Sequence, residues 1–336
     1  MAQLNVLFLS DTHLGIDSPA VEKVRRRRRG PDFFAAYHEA LKPAFRGEVD
    51  LVVHGGDMFY RSQVPAGLVA AAFEPLKRLA DRGIPVAVVP GNHERAEIPY
   101  PLLTAHPGIT VFNRPGTVHL TLKGLRVAVS GFPHVPGDVR AAFPALAARL
   151  RAEAADADVR LLCMHQAVQG AVVGNGYRFE HAPQVVRMGD LPRGYAACLA
   201  GHIHRAQVLA HDAWGFPLAV PVVYAGSVER TSFMERDEAK GYYLLSLAPD
   251  GEGGTLTQTR FVATTTRPMV QCDLATDGCD DIALKTRIWQ TLAQLPRDSV
   301  VRLRLLGPLD ADRRRACAVV RRLAPATMNV ELSFAS

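Results

Sequence analysis

Short apolar runs recur along the chain, and most of them close on a cluster of glycine and polar side chains. Asn5–Leu9, Val49–Val53 (broken only by Asp50), Ile84–Val89, Val127–Ser130, Arg160–Met164 and Tyr195–Ala200 are continuous rather than alternating. That texture predicts strands buried on both faces, as in a parallel sheet. Between them lie segments with an apolar face at helical spacing. One begins near Pro31 and carries Phe33, Phe34, Tyr37 and Leu41; a second runs from Val64 to Arg82, opening at Pro65, bending at Pro75 and closing at Gly83; a third covers Asp138–Ala154. Phe216–Tyr224 and Gly241–Leu247 read as strands that close a second sheet, separated by the charged loop Arg230–Lys240. From Pro268 onward the units shorten: strands at Met269–Cys272, Val300–Leu305 and Met328–Phe334 alternate with helices at Asp280–Leu295 and Asp310–Leu323. The expected class is α/β in two parts, residues 1–266 and 267–336, joined near Thr264–Thr266.

Polar residues gather at the carboxyl ends of these strands, where open α/β sheets bind ligands. Asp11 and His13 follow the first strand two residues apart, so in extended chain they leave on one face. Gly55-Gly56-Asp57 ends the second, Gly91-Asn92-His93-Glu94 the third, His165 the strand at Arg160–Met164, and Gly201-His202-Ile203-His204 the last. Each fragment alone also reads as an ordinary turn or a structural histidine. Together they supply carboxylate, amide and imidazole donors from five strand ends, a set that suits Mn, Fe or catalytic Zn. The five cysteines include no Cys-x-x-Cys pair, so neither a zinc knuckle nor a disulfide framework is indicated.

Composition adds direction. The 336 residues carry a net charge of +6, with five consecutive arginines at Arg25–Arg29. Such a run must be solvated or paired, and beside a metal site it also suits phosphate contacts. There is no signal-peptide pattern and no apolar run long enough for a membrane span, so the expected address is the cytoplasm with no membrane partner.

The ordered motifs Asp-x-His, Gly-Gly-Asp, Gly-Asn-His-Glu, His and Gly-His-x-His, over residues 4 to about 230, resemble those of the calcineurin-like metallophosphoesterases. The finer likeness is to SbcD and the Mre nucleases of DNA repair. It rests on Ser10–Gly15, Pro31-Asp32-Phe33, Gly56–Phe59, Gly201–Arg205 and Tyr224–Arg230 leading to Lys240-Gly241-Tyr242. The resemblance implies a two-sheet αββα sandwich with a small C-terminal α/β capping domain that holds DNA. It implies two divalent ions, Mn first with Fe, Zn or Mg as alternatives. Asp57 would bridge them, with Asp11, His13 and His204 on one ion and Asn92, His165 and His202 on the other. His93 would stabilise the transition state or protonate the leaving oxygen, and Arg25, Arg26, Arg27, Arg28, Arg29, Tyr60, Arg61, Arg205 and Arg230 would hold the DNA backbone. The implied function is a Mn-dependent DNA exo- or endonuclease, with a homodimer and an SbcC-type coiled-coil ATPase as expected partners. Two departures bear on this. Tyr60 stands where many Mre nucleases carry a histidine, which affects how DNA ends are handled, and the chain ends at Ser336, soon after the cap, where relatives continue into an ATPase-docking segment. A phosphodiesterase or phosphatase of small molecules, and a non-catalytic scaffold, are the alternatives. The extra cap and the arginine run favour a polymer, and the complete donor set disfavours a scaffold.

Overall fold

A computed structural model of the chain describes residues 2–17, 27–174, 176–212, 214–277, 279–307 and 313–335. The chain forms two compact units. The larger comprises Met1–Gly15, Phe33–Glu229 and Glu238–Thr265; the smaller comprises Ile16–Asp32, Arg230–Asp237 and Thr266–Ser336. The contiguous boundary expected at 266/267 is therefore amended, because two segments distant in sequence belong with the C-terminal part. Among the described residues no helix is long and apolar enough to cross a membrane.

In the larger unit the first sheet contains β1 (Leu4–Leu9), β2 (Leu51–His54), β3 (Val86–Val88), β4 (Ile109–Val111), β13 (Gly241–Ala248) and β14 (Thr255–Ala263), in the order β14-β13-β1-β2-β3-β4. The second contains β5 (Gly116–Leu122), β6 (Leu125–Gly131), β7 (Val159–Met164), β10 (Ala197–Ala200), β11 (Gln207–His211) and β12 (Pro217–Tyr224), in the order β11-β12-β10-β7-β6-β5. A small parallel pair, β8 (Ala167–Val168) and β9 (Val185–Val186), lies outside both. One expectation needs correction. β13 does not close the second sheet; it returns to the first and pairs antiparallel with β1, Val6 opposite Leu245. Apolar alternation specifies that a strand has a buried face, and says nothing of which edge it joins.

The two sheets bury one core between them. Val6, Phe8, Val53 and Ala87 from the first meet Val129, Leu161, Cys163, Leu199 and Val223 from the second. Truncating a fully buried leucine such as Leu161 to alanine typically costs about 2–5 kcal/mol. Residues of opposite parity face outward. Leu162, Met164, Cys198 and Val222 pack against Val139, Phe143, Ala147 and Leu150 of α4 (Val139–Glu153), whose N-cap Asp138 accepts from the Ala141 amide. Helices α1 (Gly30–Phe45) and α2 (Ala66–Asp81) bury Tyr37, Leu41, Phe73 and Leu76, and are linked where Tyr37 Oη donates to the Ala72 carbonyl at 2.9 Å. A single short turn, α3 (Pro101–Thr104), precedes β4. The result is the expected αββα sandwich. Its outer strands, β5 half-buried and β14 largely exposed, lack the continuous apolar run that marked the central strands.

The smaller unit is a three-stranded parallel sheet, β15 (Met269–Ala275), β16 (Val300–Leu306) and β17 (Asn329–Ala335), with α5 (Asp281–Ala293) and α6 (Arg313–Leu323). Val301, Leu303 and Leu305 pack with Leu284, Ile288, Leu292 and Val320 of the helices.

Candidate metal centre

Five parallel strands end in one place. β1, β2 and β3 are neighbours in the first sheet, β7 and β10 in the second, and the loop after each carries one of the sequence motifs. The turns are tight enough to strain the backbone: Asp11 (φ 50°), His13 (φ 43°), Asp57 (φ 50°) and His202 (φ 83°) all adopt left-handed conformations unfavourable to residues other than glycine. Strain of this kind concentrates at functional sites. Gly56, at φ 104°, turns the chain beneath His165, and a Cβ there would collide with the imidazole.

The donors converge. His13 Nε2 lies 3.1 Å from His204 Nε2, and His204 Nε2 is 3.7 Å from Asp11 Oδ1. Asp57 Oδ2 is 3.3 Å from His165 Nε2, 3.9 Å from His13 Nε2 and 3.8 Å from His93 Nε2. Asn92 Oδ1 faces His165 Nε2 at 3.1 Å and His202 Nδ1 at 2.9 Å. Among the described residues three groups hold ligand atoms mutually within 4.8 Å: Asp11, His13 and His204; His13, Asp57 and His93; Asp11, Asp57 and His165. Every metal-site residue expected from the sequence is thus brought to this cluster.

Surrounding bonds set the tautomers. His165 Nδ1 donates to the Gly55 carbonyl at 2.8 Å, which turns Nε2 toward the site; His93 Nδ1 donates to the Tyr60 carbonyl at 2.6 Å, which does the same for its Nε2. Tyr60 thus supports His93 through its backbone. Its ring lies under the Arg61 guanidinium, 4.7 Å from the centroid.

The electrostatics favour a cation. Burial, with His204 beside it, depresses His13 to about 3, and burial with His165 does the same for His202, so both offer neutral lone pairs. Asp57 is opposed by burial, yet His165 and its hydrogen bond prevail and hold the carboxyl below its usual range. Burial also works against charge on His165, but Asp57 raises it to about 9. Asp11 is raised by burial, against the pull of His165 and His204. Among the described residues His13 Nδ1 is buried without a hydrogen-bond partner. Two imidazole nitrogens at contact distance, with carboxylate oxygens around them, are a poor protein–protein arrangement and a good one for a divalent ion. The donor set fits the implied metals.

Several supporting residues escaped the sequence reading. Glu94, fully buried, accepts from the backbone N–H groups of Asp57 (3.1 Å), Phe59 (2.6 Å) and Gly91 (2.7 Å), fixing the loops after β2 and β3. Burial and the nearby Asp57 raise it to about 8. His54 accepts from the Gly56 amide at Nδ1 and donates from Nε2 to Thr12 Oγ1, which in turn donates to the Met58 carbonyl. Lys240, buried, donates from Nζ to the His204 carbonyl at 2.9 Å, and the Ser227 amide donates to that same oxygen. Glu94 was visible as part of Gly-Asn-His-Glu; Lys240 and its carbonyl partner are 36 residues apart and share no local signal.

The basic residues divide. Arg61 and Arg205 are exposed. Within the smaller unit, Arg27 pairs with Asp32 at 2.9 Å, Arg28 pairs with Asp17, and Arg29 donates to the Arg230 carbonyl at 2.9 Å. Arg230 itself donates to Thr266 Oγ1 at 2.7 Å. Arg25 and Arg26 lie outside the described residues.

An αββα sandwich carrying these donors on its strand ends defines the metallophosphoesterase class. The chain belongs to the calcineurin-like phosphoesterase family, whose sequence model matches residues 4–206. Among curated relatives, it is 27% identical over 259 residues to the DNA double-strand break repair protein Mre11 of Saccharolobus solfataricus, covering 74% of this chain and 61% of that one. It is 29% identical over 314 residues to the protein of the same name from Haloferax volcanii, covering 90% and 61%. The chain therefore spans about six tenths of the length of these relatives. Among solved structures it resembles TT1561 of Thermus thermophilus, with a TM-score of 0.44, 14% identity and coverage of 73% and 94%. A dimetal phosphatase from Danio rerio gives a TM-score of 0.45, 12% identity and coverage of 78% and 99%.

Proposed function

We propose that this chain is a Mn-dependent DNA nuclease of SbcD/Mre type, hydrolysing phosphodiester bonds with water. The observation that carries the reading is the convergence on Asp57 of nitrogen and oxygen donors from five strand ends, with His13 and His204 Nε2 atoms 3.1 Å apart. The likeness to Mre11 proteins over most of the chain supports DNA as the substrate.

In this reading Asp11, His13 and His204 would hold one divalent ion and Asn92, His165 and His202 the other, with Asp57 a ligand to both. When bound, such ions would activate a water and neutralise charge on the phosphate. The chain's own residues do the rest. The Gly55 carbonyl keeps His165 Nε2 aimed inward, and the His93 amide donates to Asp57 Oδ1 at 2.9 Å, which preserves the carboxylate's orientation. His93, its side chain 42% exposed and its Nδ1 engaged by the Tyr60 carbonyl, directs Nε2 to the open side of the cluster. There it donates to the developing charge or protonates the leaving oxygen. Arg61 and Arg205 contribute sequence-independent phosphate contacts. The smaller unit holds DNA as a cap, an SbcC-type ATPase and a second copy of the chain are the expected partners, and the cytoplasm is the expected compartment.

The test is hydrolysis by the purified chain with Mn²⁺, comparing labelled linear duplex DNA, single-stranded DNA and an aryl phosphodiester. Cleavage of DNA that falls at least about a thousandfold in Asp57→Ala and about a hundredfold or more in His93→Ala supports the reading. Cleavage of the small diester alone transfers the function to a small-molecule phosphoesterase.

A further inference from the structure

His134 follows β6 and belongs to none of the ligand groups described above. Yet it is fixed by the loops that carry two of the ligands. Its backbone N–H donates to the Pro90 carbonyl at 2.9 Å, two residues before Asn92. The carbonyl of the next residue, Val135, accepts from Gln166 Nε2 at 3.2 Å, and Gln166 follows His165 directly. The half-buried ring stands edge-on to His165, with centroids 6.1 Å apart at 73°, and tilted against His202 at 5.9 Å and 37°. Among the described residues neither ring nitrogen has a hydrogen-bond partner.

His134 thus packs on His165 and His202, whereas the His93 ring packs on His13 with centroids 4.7 Å apart. In this half-buried imidazole the ring nitrogens take no protein partner among the described residues, so they are open to a ligand that enters beside His165 and His202. Packing alone would be served as well by an apolar ring. We propose that His134 is a substrate-binding residue, donating a ring N–H to an oxygen of the bound phosphate on the side lined by His165 and His202. The proposal rests on the phosphoesterase reading and adds a contact outside the metal ligands. A neutral imidazole keeps one N–H, so the donor role does not require a charged ring. Because both backbone anchors lie on ligand loops, the donor is in place before substrate arrives.

Four proteins decide it: wild type, His134→Ala, His134→Phe and His134→Gln, each loaded with Mn²⁺ and checked for unchanged metal content and melting temperature. Inorganic phosphate binding is measured by calorimetry, and bis(p-nitrophenyl) phosphate turnover in parallel. Phe keeps the ring packing and loses the donor; Gln loses the ring and keeps a donor. His134→Ala and His134→Phe are expected to weaken phosphate binding and raise KM about tenfold or more, with kcat within about threefold, while His134→Gln stays within about threefold of wild type. Wild-type affinity in His134→Phe, or equal affinity in all four, overturns the proposal. If wild type binds phosphate but turns over no diester, the nuclease reading fails and the binding series still decides His134. If wild type binds no phosphate, both fail.

Discussion

Two buried polar clusters in this protein are built on opposite logic. In the smaller unit the Arg267 guanidinium meets only acceptors: Asp298 O at 2.6 Å, Asp32 Oδ2 at 2.8 Å, Asn329 Oδ1 at 2.7 Å and Thr327 O at 2.7 Å. Asn329 Nδ2 in turn donates to the Arg27 carbonyl at 2.8 Å. Each of these contacts sets a donor against an acceptor, and Asp32 supplies a carboxylate to the buried guanidinium, as structural burial of an ion requires. In the larger unit imidazole nitrogens and oxygen atoms of possible metal ligands crowd one another. His13 Nε2 and His204 Nε2 stand 3.1 Å apart, Asn92 Oδ1 faces two imidazoles, and among the described residues His13 Nδ1 has no hydrogen-bond partner. One cluster is closed by hydrogen bonds between protein groups; the other gathers ligand atoms as a cation site does. Burial alone does not distinguish structural from functional polar residues here, whereas the kind of atoms brought together does.

That contrast can be broken in three ways. The largest effect is expected from Arg267→Met, which leaves Asp32 to Arg27 and takes the donor from Asn329 Oδ1 and the Asp298 and Thr327 carbonyls; it should cost about 2–4 kcal/mol while metal content per folded molecule stays at the wild-type level. Denaturant unfolding and metal analysis together check it; a neutral substitution would show the cluster to be idle. The second effect is on pH. His54, buried and beside His165, is depressed to about 3 in the folded protein, against about 6.5 when unfolded. Between those values the unfolded chain binds the extra proton, so stability is full above about pH 6.5 and lost as pH falls toward 3. The loss by pH 5 is about 2 kcal/mol for this group, with His13 and His202 acting in the same direction in the metal-free protein and Glu94, raised to about 8, offsetting part of the sum. The segments of the smaller unit contain no histidine, so hydrogen exchange should show the larger unit loosening first. Equal loosening of both units between pH 7 and 5 would count against the assignment. The smallest effect is expected from His204→Ala in metal-free protein, which removes one of the two imidazoles in contact. Its stability should stay within about 1 kcal/mol of wild type while Mn binding is lost. A loss above about 2 kcal/mol would mean that the imidazole pair is structural after all.

What could be read from the sequence was local. Continuous apolar runs marked β1, β2, β3, β7 and β10, because a strand buried on both faces needs no polar alternation. The motif after each run announced its ligands, because tight turns and metal donors are specified within a few residues. The helices at Ala66–Asp81 and Val139–Glu153 were legible from apolar spacing and from Pro65 and Asp138 at their starts. Tertiary structure decided what depends on residues far apart. It placed β13 beside β1, added Ile16–Asp32 and Arg230–Asp237 to the C-terminal unit, and gave Asp32 to Arg267 across 235 positions. It set the imidazole tautomers through the Gly55 and Tyr60 carbonyls, and it anchored His134 between the loops of Asn92 and His165. Periodicity and turn chemistry report a residue's relation to its near neighbours along the chain. Partner choice among distant strands and polar groups is settled by which assembled packing leaves the fewest polar groups without partners, and that sum exists only once the chain has folded.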